Sequence, residues 1–576
     1  MCGGRSSVAP TRASAVADCV MKPTLREPLL ASNRRPTSYR PRGALGVALA
    51  TILGAAVYVS RRSPARLDVL ETLETLDVEV WETALSGNKL EMIHPYGEPT
   101  GPIDAIFTVF PDDEHQAIVG FGGAITQASG TVWSRLPPLQ RQRVVELFFG
   151  EGGINASLAR VPIGSCDFAE FSYSLDDVPG DFALSHFDEG LTHDAQLLLP
   201  LVRAALRANS ALQLLVSPWS PPAWMKSNGA MDGNGAPRGL RPEAAAAWAG
   251  YLSRWLAAFA AHGARVSWLT VQNEPMAPSP WEACYYNASQ EASFIADHLG
   301  PALAAGVAAG RHPPVKLLGF DDQKDNIEGW AETLLGDGSA ASRYTAGLAY
   351  HWYAGDYFGR LERAAAAHPS KVFLGTEATY ELTRLRDPSA SHGDWVRHGV
   401  WARGEGYAYA IIGDLLAGSS GWIDWNILLD HTGGPNHLNN TCDAPLVTDA
   451  AHAEVHLHPQ FWYLGHFSKF TPRGSRRVRL HNAGPDGAAR YHSSGGGGGG
   501  YNLSGAVAYG DCPASGSPYA VALKRPDDKL VLVALNCDGA AKVVRIEVAR
   551  ADGRRRTMRQ AIPPRAIHTF VIDSLS

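Results

Sequence analysis

Trp268-Leu269-Thr270-Val271-Gln272-Asn273-Glu274-Pro275 is an apolar run that ends in a carboxylate, and Val372-Phe373-Leu374-Gly375-Thr376-Glu377 repeats the pattern. Runs this short and this apolar read as parallel strands covered on both faces. Each glutamate then falls at a strand C-terminal end. In a (β/α)8 barrel that rim carries the chemistry. A lone glutamate there more often pairs with an arginine, but two brought together are the equipment of a glycosidase.

Working outward, the same kind of run recurs through the middle of the chain. Ala117 to Phe121, Leu158 to Val161, Leu212 to Ser217, Val315 to Phe320, Leu348 to Trp352 and Trp422 to Trp425 bring the count to eight. Helical patterns separate several of them: Leu139 to Phe149, Ala195 to Arg207, Pro242 to His262 and Ser289 to Ala309. Eight βα repeats over residues 116–464 predict a TIM barrel, class α/β. Residues 67–115 and 465–576 read as short alternating strands, and one β-sandwich built from both chain ends accounts for them. Within the second segment Ser493 to Gly500 reads as a flexible loop.

Composition narrows the function. The chain is 45% hydrophobic with a net charge of −6, which disfavours a general nucleic-acid binder. Its seven cysteines show no metal-ligand spacing, so no zinc site is expected; hydrolysis by two carboxylates requires no metal or organic cofactor. Cys512 and Cys537 are candidates for a bridge, although spacing leaves the pairing open. Gly43 to Ser60 is an uncharged run of 18 residues, preceded by a tail (residues 1–42) with eight basic and two acidic side chains. That arrangement reads as a membrane anchor with the bulk of the chain lumenal. A signal peptide and a buried helix are the rival readings. N-x-S/T triplets at Asn155, Asn287, Asn439 and Asn502 agree with an endomembrane or secretory route.

The strand ends carry the candidate site. Gly120-Phe121-Gly122-Gly123 follows the first run without the spacing or lysine of a phosphate loop, so close backbone approach is the better reading. Arg160 on the second strand can hold a carboxylate ionised. Asp167, just beyond it, can accept from sugar hydroxyls, and Trp219 after the third strand can pack on a sugar face. His351 and Tyr353 follow the sixth run.

The segments RVPIGSCDF, SPWSPPAWMKSNGAM, TVQNEP, DDQ, YHWY, TEA, GWIDWN, GGPN and LGHFSKF stand in the order found in the lysosomal-type glucosylceramidases of glycoside hydrolase family 30, which the chain resembles from about residue 100 onward. The resemblance implies Glu274 as acid/base and Glu377 as nucleophile. It implies Asn273 on the sugar 2-hydroxyl, and Asp167, Trp219, Trp425 and Asn440 around the glucose. Gln323 and Tyr353 line the cleft near the catalytic pair, Trp281 stands at its entrance, and Arg160 and His351 support. Thr379 and His437 depart from the family pattern, which has Cys and Trp there, and both departures fall on the aglycone side. The expected substrate is glucosylceramide or a related β-glucoside met at a membrane surface, with a β-1,6-glucanase, a β-xylosidase or a non-catalytic binder as alternatives. Retaining double displacement needs Glu377 ionised and Glu274 protonated before the first step.

Overall fold

The computed structural model describes residues 74–94, 99–236, 238–382, 395–484, 512–513, 516–550 and 552–573. Eight parallel strands close into a barrel: β1 (Gly120–Ala124), β2 (Leu158–Ile163), β3 (Gln213–Pro218), β4 (Val266–Thr270), β5 (Lys316–Gln323), β6 (Thr345–His351), β7 (Val372–Glu377) and β8 (Gly421–Asn426). Each strand pairs with its sequence neighbour, and β8 returns to β1. The run expected over Ala117–Phe121 lies three residues further on. Ala117 instead ends a long strand, Ala105–Ala117, which pairs with Arg476–Ala483 outside the barrel. The Ile118 and Val119 amides are taken by Ser475 and Ser420, and the chain enters β1 only at Gly120. The glycines of β1 let β2 come close. A Cβ on Gly122 would meet the Leu158 carbonyl oxygen at 1.7 Å.

Strand periodicity builds the interior in layers. Leu158, Leu215, Trp268, Leu318, Ala349, Leu374 and Ile423 form a fully packed apolar plug across the barrel. Around the outside, helices such as Thr192–Ala208 and Ala245–Ala261 pack against the strands, while Trp401–Leu416 and Pro459–Ser468 are buried nearly all round. The helical pattern expected over Ser289–Ala309 is a helix with one π-helical turn, Ile295–Leu299, in its middle.

Both chain ends supply a second sheet of ten strands, folded over a core that includes Val80, Phe107, Ile546 and Phe570. Arg555–Ile562, too polar to stand out as a strand by pattern, pairs antiparallel with Lys542–Ala549. Tyr519–Lys524, Leu530–Asn536 and Ala566–Ile572 are buried on both faces. Their second face packs on the barrel helices, where His466 joins Thr83 to Thr569 and Arg565 pairs with Glu405 at 2.5 Å. A disulfide joins Cys512 to Cys537, and Cys166, Cys284 and Cys442 are free and buried. The anchor-like run, the serine-glycine run and Asn502 lie outside the described residues. Among the described residues no helix is long and apolar enough to cross a membrane.

Candidate active site

Two residues above the apolar plug, the same strands present a second, polar layer. Arg160, Ser217, Thr270, His351 and Thr376 each follow a plug residue by two positions, as strand alternation demands. On β5 the alternation breaks. Phe320 and Asp321 both take positive φ, 74° and 58°, and the pairing to β6 shifts register there. Phe320 therefore turns outward onto the Trp330 ring, at 5.1 Å, and Asp321 turns in. Such strained geometry persists only where the surroundings fix it. Here Thr270 and Thr376 donate to Asp321 at 2.7 and 2.6 Å, and Arg160 at 2.9 Å.

Arg160 is fully buried and organises what lies above it. Its guanidinium donates to the Glu377 carboxylate, and to Asn273 Oδ1 at 2.7 Å. Tyr353 donates its hydroxyl to the other Glu377 oxygen at 2.9 Å. Glu377 is the last residue of β7, whereas Glu274 lies four residues beyond β4 in a left-handed conformation, φ 43°. Its amide bonds the Asp321 carbonyl, which ties the turn to β5. The Glu274 carboxylate accepts from Gln323 Nε2 at 3.0 Å and contacts His351 Nδ1 at 3.1 Å. One oxygen of Glu274, one of Glu377 and a nitrogen of His351 all lie within 4.8 Å of one another.

The charges follow from burial and neighbours. Burial opposes a charge on His351, but Glu377, Asp321 and Glu274 together lift it to about 10. Both ring nitrogens lie against carboxyl groups, Nδ1 on Glu274 and Nε2 on Asp321 at 3.2 Å, which accounts for that rise. Burial also works against ionised Asp321, yet Arg160 and His351 win and hold it below the usual range. At Glu377 the balance is reversed. Burial raises its carboxyl, and the opposing pull of His351 and Arg160 does not cancel the rise. The expected Arg160 contact is present, but desolvation outweighs it.

Asp167, Trp219, Asn273, Glu274, Trp281, Tyr353, Glu377, Trp425 and Asn440 line one cleft. Gln323, Arg160 and His351 support it from beneath through the bonds above. Trp219 and Trp425 stack at 5.2 Å, and Asn440 donates to Asp167 at 2.9 Å. Every side chain singled out in the sequence is thus gathered at one end of the barrel.

Residues 118–471 match the glycosyl hydrolase family 30 TIM-barrel domain, and residues 513–570 match the family 30 beta sandwich domain. The chain belongs to glycosyl hydrolase family 30. It is a glycosidase, and its fold is that family's barrel with a sandwich. Against the mouse lysosomal acid glucosylceramidase, this family 30 chain is 35% identical over 444 residues, which is 74% of this chain and 81% of the relative. An endo-1,6-beta-D-glucanase of Neurospora crassa is 30% identical over 376 residues, 63% of this chain and 72% of the relative. The crystal structure of SrfJ from Salmonella typhimurium superposes with a TM-score of 0.71 at 28% identity, covering 86% of this chain and 99% of that one.

Asp321 lay inside a quoted motif but drew no role from the sequence; strict alternation from Leu318 would turn Phe320 inward in its place. Ser279, Glu381 and Cys442 also line the cleft and carried no local signal. Thr379 lines it too, with its hydroxyl on the Asp443 carbonyl at 3.0 Å. His437 lies against the Ala169 carbonyl at 3.1 Å and the Glu282 carboxylate at 3.7 Å.

Proposed function

We propose that this family 30 enzyme is a retaining β-glucosidase that cleaves glucosylceramide to glucose and ceramide. The observation that carries the mechanism is the approach of Glu274 and Glu377, with an oxygen of each within 4.8 Å of the other. Retention works with carboxyls about 5–5.5 Å apart, whereas inversion needs roughly 6.5–9.5 Å to admit a water. In the first displacement a Glu377 oxygen bonds to the anomeric carbon, the glycosidic bond breaks, and Glu274 gives its proton to the leaving oxygen. In the second, Glu274 takes a proton from water, whose oxygen replaces Glu377 on the same carbon. Arg160 and Tyr353 aim the nucleophile, Gln323 and His351 hold the acid, and Asn273 is placed for the sugar 2-hydroxyl. Asp167 and Asn440 hold the glucose hydroxyls against the Trp219 and Trp425 rings.

Two observations favour a lipid aglycone. The mouse relative is a glucosylceramidase. Exposed apolar side chains, Phe171, Val178, Phe182 and Leu438, stand on the loops that follow β2 and β8 on the site's side of the barrel. Such a rim suits a membrane surface better than a soluble glucan. The β-1,6-glucanase reading retains support from the Neurospora relative. With the uncharged run and its basic flank, the proposal extends to an endomembrane setting with the catalytic unit in the lumen.

The test compares glucose release from glucosylceramide in detergent micelles and from a β-1,6-glucan, with Glu377→Gln beside each. Lipid turnover that disappears in the variant supports the assignment, and glucan turnover alone overturns the lipid substrate. Proton NMR of the first-formed glucose decides the stereochemistry. The β-anomer is expected, and the α-anomer would rule out retention.

A further inference from the structure

Glu291 stands on the helix that follows β4, Ala288–Phe294, in the outer ring of the barrel, and is not among the residues that line the cleft. Its side chain is fully buried. Oε1 accepts from the Phe320 amide at 2.8 Å, and Oε2 has no hydrogen-bond partner among the described residues. The fit against β5 is close. A Cβ on Gly319 would meet Glu291 Oε1 at 3.0 Å and Leu334 Cδ2 at 2.1 Å. Asn287 and Gln290 close a capping box at the start of the helix, which fixes the turn that carries Glu291.

The bond falls where β5 leaves the regular ladder. Pairing with β4 ends at Leu318, and pairing with β6 skips Asp321, so that Phe320 faces Ala349 and Asp322 faces Tyr350. Phe320 and Asp321 hold positive φ across this bulge. A buried amide needs an acceptor. At Phe320 the acceptor is a side chain from the helix, 29 residues earlier in the chain.

Both glutamates of the cleft hang on this bulge. On one side Asp321 Oδ2 accepts from Arg160, which donates to Glu377. On the other, the Asp321 carbonyl accepts the Glu274 amide at 3.0 Å. Asp322 Oδ2 accepts the Met276 amide at 3.0 Å, two residues past Glu274, and Gln323 donates to Glu274 itself. Each link passes through the backbone of residues 320–323. Burial pushes the Glu291 carboxyl well above the usual carboxylate range against the pull of the Phe320 amide, and Asp321 and Asp322 add to the rise. Glu291 therefore accepts as a neutral acid, which a Gln amide oxygen can replace.

We propose that Glu291 is a positioning residue for the glycosidase reaction, which holds the Phe320 amide from the outer side of the barrel and so fixes the β5 bulge on which Glu377 and Glu274 are both aimed. This rests on the reading of Glu274 and Glu377 as the reacting pair. The contact depends on the reach of the side chain and not on its charge. Glu291→Asp keeps the carboxyl and draws it back by one methylene. Glu291→Gln keeps the reach and removes the acid, and Glu291→Met fills the space without an oxygen.

The experiment compares these three variants of the full chain with the wild type on 4-nitrophenyl β-glucoside, below their melting temperatures. Glu291→Asp and Glu291→Met are expected to lower kcat about 10- to 100-fold with KM within about twofold, because misaimed carboxylates fail in the transition state more than in binding. Glu291→Gln, the conservative variant, should restore kcat to within about threefold of the wild type. Hydrogen exchange resolved to the Phe320 amide is the second readout. Protection should fall about tenfold or more in the Asp and Met variants and stay at the wild-type level in the Gln variant. Wild-type kcat in folded Asp and Met variants, or a Gln variant as slow as they are, overturns the proposal. So does unchanged exchange at Phe320 in both. Failure of both the Asp and Met variants to fold would assign the contact to the fold alone and overturn it as well. Exchange that follows the expected pattern in a chain without glucoside turnover upholds the hold on Phe320 and places the failure on the glucosidase reading.

Discussion

Arg160 Nη2 lies 2.9 Å from Asp321 Oδ2, and both side chains are wholly out of solvent. This pair is the joint between the apolar plug and the carboxylates of Glu274 and Glu377. Asp321 anchors the guanidinium from below, and the guanidinium in turn fixes Glu377 and Asn273 above. Its geometry depends on the bulge in β5 that turns Asp321 inward.

Removing the cation leaves two carboxylates buried without it. Arg160→Met is expected to lower unfolding stability by about 3–5 kcal/mol, the usual cost of breaking one side of a buried pair. Urea melts of the variant and the wild type measure this directly. A loss below about 1 kcal/mol would show that water or a rearranged neighbour replaces the guanidinium.

Tyr353 tests the aim of the proposed nucleophile, Glu377, rather than the fold. Tyr353→Phe deletes a hydrogen bond to Glu377 and keeps the ring. A hydrogen bond to a charged group contributes about 1.5–3 kcal/mol, so kcat should fall roughly 10- to 150-fold with little change in melting temperature. An unchanged kcat would mean that Arg160 alone orients Glu377.

Stability should depend on pH through Asp194. Burial raises its carboxyl to about 7, against the bond from the Tyr173 hydroxyl. A carboxyl whose folded pKa is raised favours the folded state most fully below the unfolded value near 4. That contribution is lost as the pH climbs through about 7. Wild-type stability from this group should therefore drop by about 2 kcal/mol between pH 5 and 8. Asp194→Asn keeps an acceptor for Tyr173 and removes the titration, so its melting curve should lose that part of the slope. An identical slope would assign the pH dependence elsewhere, with Asp322, also raised to about 7 by burial and by Glu274, as the next group to test.

The Cys512–Cys537 bridge spans 25 residues. Cross-linking a loop of that size restricts the unfolded chain by about 3 kcal/mol. Cys512→Ser should lower stability by that order in a denaturant melt while leaving glucoside turnover at low denaturant intact. Loss of turnover without loss of stability would contradict a purely structural role.

Much of this could be read along the chain, because barrel strands are short apolar runs buried on both faces and their ends carry the chemistry. Trp268 to Thr270 and Val372 to Glu377 are such runs, and each leads to its glutamate. The first strand was displaced because Ala117 to Val119 are as apolar as a strand, yet Ala117 ends the sandwich strand, the Ile118 amide goes to Ser475, and the barrel pairing with β8 begins only at Gly120. Arg555–Ile562 escaped because its partner strand, not its own pattern, makes it a strand.

The sequence by itself determined the βα repeat, the two glutamates at strand ends and the side chains that gather round them, since each depends on local periodicity or on a short motif. Only the tertiary structure decided that Asp321 and not Phe320 faces the site, because two left-handed residues reverse the alternation there. Only it decided that Glu377 is raised by burial despite Arg160, and that His437 meets Glu282 across two loops. Desolvation and long-range pairing depend on what surrounds a group in space, and no local stretch of the chain carries that information.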